Sequence, residues 1–116
     1  MTNLLFSGLT TTFLREFILG LWVTFPLLLS LAVAVTLLGQ IVGRNEGWAA
    51  FDSLYWSFIT ATTVGYGDFR PQKKVSRILS IVIALLGFML TGILVAVAVH
   101  SGSIALAAHD AAIKSR

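Results

Sequence analysis

The stretch Thr62-Thr63-Val64-Gly65-Tyr66-Gly67-Asp68 carries the most specific chemistry in the chain. A bare cation inside a membrane needs oxygens to replace its water. Backbone carbonyls supply them if several successive residues turn their C=O groups to one side. An ordinary strand alternates its groups and cannot do this. Gly65 and Gly67 take φ > 0 readily, so the chain can alternate hand while its carbonyls stay aligned. Thr63 adds a hydroxyl below the carbonyls. Val64 and Tyr66 point away from the ions and brace the loop. One chain forms one wall, so a closed ring needs several copies.

Two apolar runs must hold this loop. Residues 17–43 form a run of 27 without Asp, Glu, Lys, Arg or His. As a helix it is about 40 Å long, more than the hydrocarbon core of about 30 Å. Pro26 lies inside it and is expected to bend it. Trp22 suits a lipid-facing or interfacial place. Residues 78–99, 22 without a charge, make a second spanning helix. Residues 1–16 carry Leu4, Leu5, Phe6, Leu9, Phe13 and Leu14 before Arg15 and Glu16. They fit a short amphipathic helix on the membrane surface, or equally a frayed start to the first span. Arg44 to Gly47 reads as a turn, with Trp48 at the interface. Asp52 is a candidate N-cap for a helix over 52–62. Such a helix is about 15 Å long, half a bilayer, so it enters without crossing. Non-helical backbone at that depth is tolerated only where protein or water surrounds it, so the loop demands partner subunits. The negative end of the helix dipole favours a cation there.

Composition excludes most other chemistry. The chain has 116 residues, 57% hydrophobic and 11% charged, where soluble domains are roughly 25% charged. Mean hydropathy is +0.91. Cysteine is absent, so disulfides and thiol chemistry are too. The net charge of +3 comes without a basic cluster interleaved with aromatics, which argues against a nucleic-acid partner. No signal-peptide pattern opens the chain. There is no nucleophile–base pair, metal-ligand spacing or phosphate loop, so neither enzymatic activity nor a cofactor is expected. No helix carries the regular arginines of a voltage sensor. His100 and His109 are nine residues apart, opposite one another on a helix, so they cannot share a metal. Solvated or interfacial histidines are the simpler reading, and a pH-sensing ring at His100 the sharper one.

The run Thr63 to Gly67 resembles the selectivity filter of potassium channels. The chain as a whole is similar to the pore module of tetrameric potassium channels, of the two-transmembrane prokaryotic type. The likeness is close from Asp52 to Asp68, looser through the second helix, and one of pattern in the first. It implies an all-α membrane protein in a single domain. An N-terminal interfacial segment (1–16), outer helix (17–43), pore helix (52–62), filter (63–68), inner helix (78–99) and cytoplasmic tail (100–116) follow in order. Four copies would assemble in the cell membrane, with both termini cytoplasmic and K⁺ as the permeant ion. Thr63, Val64, Gly65 and Tyr66 would form the stacked K⁺ sites, with Gly67 closing the filter. Tyr55, Trp56, Thr62 and Asp68 would support it. Some relatives place a glutamate where Ile59 stands, so Asp68 needs another partner, and Tyr55 fits. Gly87 falls where many relatives have a hinge glycine. Phe88, Thr91, Val95 and Val99 would line the pore, with Val95 and Val99 as gate.

The charge distribution points the other way on topology. The central loop holds five basic residues (Arg44, Arg70, Lys73, Lys74, Arg77) and the two ends hold three (Arg15, Lys114, Arg116). Counting alone would put the loop in the cytoplasm; the filter resemblance puts it outside and is followed. Arg70 stands two residues past Asp68, where it would face the outer mouth or else pair with Glu46. A pore cut from a longer regulated channel stays open. A potassium-uptake transporter subunit fits less well, since those carry four unlike repeats with degenerate filters.

Overall fold

The computed structural model describes residues 2–115, with side chains from Ser7 onward. The expected apolar face at Leu4, Leu5 and Phe6 and the charge of Arg116 therefore lie outside the described residues. Three helices are present, α1 (Thr2–Glu46), α2 (Ala50–Ala61) and α3 (Lys74–Lys114). The protein is all-α, and α1 and α3 are both long and apolar enough to cross a membrane. Only 11% of the most apolar window of each is buried within the chain. Core helices of a soluble domain would be mostly covered, so these faces are built to meet lipid or other copies.

The helices run further than their charges suggest. α1 has no break near residue 16, and α3 continues past His100 to Lys114. The separate interfacial segment and separate tail expected from the sequence are thus continuous with the spans. An adjacent ion pair, Arg15 to Glu16 at 3.5 Å, sits inside α1 without interrupting it. α2 begins two residues earlier than expected. Its N-cap is Ala49, which makes no side-chain cap. Asp52 is not the cap; it lies in the first turn, where its charge still complements the helix dipole.

The chain divides into two compact units. One comprises residues 26–92 and holds α2 and the loop after it. Val35 and Val42 of α1, Trp56 and Ala61 of α2, and Ile83 of α3 form its buried core. In lipid this packing is driven by dispersion and close fit rather than by escape from water. Small residues let α1 and α2 approach. A Cβ on Gly39 would fall on the Ser57 hydroxyl, and one on Gly43 on the Ser53 hydroxyl. Both serines are buried, and each hydroxyl donates to a carbonyl one turn back, Ser53 to Ala49 and Ser57 to Ser53. Their polarity is thereby satisfied without a partner helix. On the other side, a Cβ on Gly87 of α3 would strike the Ala61 backbone carbonyl. Gly87 is helical and serves close packing here, whatever further role it has.

The second unit comprises residues 2–25 and 93–115. Gly20 of α1 admits Val97 of α3, whose methyl would lie 2.6 Å from a Cβ at that position. Ser101 and Ala105 are buried there. The Ser101 hydroxyl donates to the Val97 carbonyl at 2.8 Å. His100 lines a groove of about 460 Å³ with Glu16, Gly20 and Val97. His109 lines another with Gly8 and Thr12.

Candidate ion-binding site

The loop after α2 is built from the helix end outward. Thr62 closes α2 with φ −88° and ψ 6°. The next amides fold back onto the last carbonyls of the helix. Thr62 N donates to Phe58 O, Thr63 N to Thr60 O, and both Val64 N and Gly65 N to Ile59 O. The donors of residues 62–65 are thus consumed behind the loop. The acceptors are not. Among the described residues, the carbonyls of Thr63, Val64, Gly65 and Tyr66 accept no hydrogen bond.

Backbone handedness alternates along the same residues. Positive φ occurs at Thr63 (63°), Gly65 (54°) and Gly67 (80°), and not at Val64 or Tyr66 between them. The glycines were expected to do this. Thr63 was not, because a β-branched residue in the left-handed region is a strained outlier, costing roughly 1–2 kcal/mol. Its hydroxyl donates to the Thr62 carbonyl at 2.6 Å, which ties the strained residue down. Three left-handed residues thus alternate with two that are not.

Every residue from Thr62 to Asp68 is exposed. Val64 is 50% and Tyr66 69% exposed, so its own chain covers each only in part. Support comes instead from the flanks. Trp56 is buried and meets Trp48 edge-on, with ring centres 5.3 Å apart. Trp48 also meets Phe69 at 5.3 Å, and Tyr55 meets Phe69 at 6.4 Å. Phe69, which follows Asp68, is thereby held to α2 by two aromatic rings, Tyr55 directly and Trp48 through Trp56. Trp48, expected only as an interfacial residue, is part of that clamp. It is placed by the end of α1, where Gly47 at φ 77° lets Trp48 N donate to Gly43 O at 2.8 Å, the pattern that closes many helices.

Asp68 Oδ1 accepts the Phe69 amide at 3.2 Å. The Asp68 carboxylate also lies beside the Tyr55 hydroxyl. Loss of hydration, and then this carboxylate, raise the Tyr55 phenol above its ordinary value. Glu46 does different work from that expected. Its carboxylate accepts the Gln72 amide at 2.8 Å and the Lys73 amide at 2.9 Å. It caps α3 from the far end of α1. The Lys73 N–H first, and the Gln72 N–H with it, hold its carboxyl below the usual glutamate value against a smaller cost of burial. Arg70 does not pair with Glu46; its Nε donates to the Gly67 carbonyl at 3.1 Å.

Of the residues expected to line a pore, Phe88, Val95 and Val99 are exposed and Thr91 is half-buried. Their outward face leaves them free to meet other copies. The sequence had no signal for Gly39, Gly43, Ser53 and Ser57, nor for Glu46 as a cap. Small residues four apart on two neighbouring helices would have been the one usable hint.

The sequence pattern of the ion channel family matches residues 18–101. The chain is 36% identical over 66 residues to "TWiK family of potassium channels protein 7" of Caenorhabditis elegans, covering 56% of this chain and 12% of that protein. It is 44% identical over 39 residues to a "voltage-gated potassium channel" of Aeropyrum pernix, 34% of this chain and 13% of the other. With "probable potassium channel protein 2" of Methanocaldococcus jannaschii the identity is 43% over 47 residues, 40% and 14%. The chain thus spans about an eighth of the length of these relatives. No solved structure matches it.

Proposed function

Because this chain belongs to the ion channel family, we propose that it is the pore of a K⁺-selective channel that conducts passively as a homotetramer. One observation carries the reading: four successive carbonyls, Thr63 to Tyr66, accept no hydrogen bond among the described residues while the amides beside them are bonded backward. A four-fold ring of such carbonyls replaces the water of K⁺. The relatives' names supply the ion, and the exposed Val64 and Tyr66 supply the need for neighbours. Gly67 closes the outer end, and Tyr55, Trp56, Thr62 and Asp68 hold the loop from behind. No cofactor enters this reading.

The inner half of the pore is lined by Phe88, Thr91, Val95 and Val99. Rings of four valines narrow it enough to gate by dewetting. Val99→Asp should then raise open probability, and unchanged conduction in both Val99→Asp and Val95→Asp would place the gate elsewhere. Both termini lie in the cytoplasm, against the bare count of basic residues. Two of those residues are held locally, Arg70 by Gly67 O and Arg77 by Pro71 O. A single cysteine at Gln72, in a chain with no other, should be labelled from outside the cell.

Flux through liposomes holding the purified protein tests the function. K⁺ uptake should far exceed Na⁺ uptake. Equal uptake of both ions would remove the assignment.

A further inference from the structure

Arg70 lies over the last residue of the filter. Its Nε donates to the Gly67 carbonyl at 3.1 Å. A Cβ on Gly67 would sit 3.3 Å from one of its terminal nitrogens and 3.4 Å from Nε, so the guanidinium lies close to the glycine. Among the described residues no carboxylate comes within ion-pair reach of it. The backbone that follows it is held. The Gln72 side chain donates to the Arg70 carbonyl at 3.4 Å, Pro71 follows, and Glu46 fixes the amides of Gln72 and Lys73. The guanidinium is a permanent cation with donors set in a plane, tethered three residues beyond the carbonyl it occupies.

We infer that Arg70 is a built-in competitor for the outermost rung of the filter. Its guanidinium and an incoming K⁺ require the same Gly67 carbonyl, and like charges at that separation repel. External K⁺ must displace the side chain before entering, so Arg70 sets the external K⁺ concentration at which the pore conducts. The inference rests on residues 63–67 being the conduction path.

The test is single-channel inward conductance of the full chain in planar bilayers, against external K⁺ at constant ionic strength. Arg70→Gln should lower the half-saturating K⁺ at least threefold. Arg70→Lys, which keeps the charge, should shift it by less than half as much. Equal half-saturation in parent and Arg70→Gln overturns the inference, as do equal shifts in the lysine and glutamine variants. Arg70→Cys removes any dependence on folding, since the chain has no other cysteine. Adding a positively charged methanethiosulfonate from outside should restore the high K⁺ requirement, and a neutral reagent of the same size should not. If both reagents act alike, charge at this position does not compete with K⁺. Reversal potentials from the same records separate the two readings. A parent that does not distinguish K⁺ from Na⁺ removes the filter assignment and this inference with it. A selective parent with unchanged K⁺ dependence in Arg70→Gln removes this inference alone.

Discussion

The two sides of the loop after α2 are made differently. Behind it, α1, α2 and α3 close on each other through Gly39, Gly43 and Gly87, with no room for a single added carbon. Ser53, Ser57, Ala61 and Ile83 are covered by their own chain. In front, Thr62 to Asp68 are all exposed, Thr63 is strained, and four carbonyls are unbonded. One chain therefore packs the scaffold behind the loop and leaves the loop itself uncovered. Strain at Thr63 is tolerable because the packed side over-determines its position.

Substitutions can separate the two sides. Gly65→Ala acts only in front, since a Cβ there meets nothing within 4 Å. Its whole cost is the left-handed φ of 54°, about 1–2 kcal/mol per chain and repeated in four chains. K⁺ selectivity should collapse while the tetramer persists. Reversal potentials together with size-exclusion chromatography check this; an intact K⁺/Na⁺ ratio would mean the alternation of hand is not needed.

Gly43→Leu acts only behind. It forces α1 from Ser53, and overpacking of this kind costs roughly 1–3 kcal/mol. Thermal unfolding in detergent should fall by several degrees, with less tetramer recovered. If Gly43→Leu is as stable as the parent, the seam is looser than described. Gly87→Ala probes the join between the sides, because its Cβ strikes the Ala61 carbonyl at the base of the loop. We expect a smaller loss of stability than in Gly43→Leu and a clear loss of current. A variant with normal current would show that α3 can move away from α2 without disturbing the filter.

The smallest effect concerns Glu46. Its carboxyl is held below the usual value when folded, so the stabilisation it gives is present above its unfolded value. It is lost as pH falls through the lower folded value. The parent should lose stability below about pH 4.5, the ordinary range of a free glutamate. Glu46→Gln should lose less there and be slightly weaker at pH 7. Parallel pH–stability curves for both forms would discount the cap.

The left-handed backbone at Gly65 and Gly67 was readable because its cause is local. Gly65 and Gly67 each announce a backbone conformation, and their neighbours fix what it is for. The two spans were readable from their lack of charge, but their ends were not. Arg15, Glu16 and His100 looked like boundaries, yet charged residues propagate a helix well. Asp52 looked like a cap because its side chain suits one. Ala49 and Ala50, with no side-chain signal of their own, start the helix earlier. The packed seam was least readable of all. Gly39 with Gly43, and Ser53 with Ser57, stand four apart, but that spacing gains meaning only when the two helices are set side by side.

The central claim is that the carbonyls of Thr63 to Tyr66, from four copies, hold K⁺ in a row. Anomalous diffraction from crystals of the assembled protein grown with Tl⁺ in place of K⁺ tests it directly. A line of anomalous peaks on a four-fold axis, level with these carbonyls, is expected. An assembly without that axis, or Tl⁺ bound elsewhere and not between these residues, would contradict it.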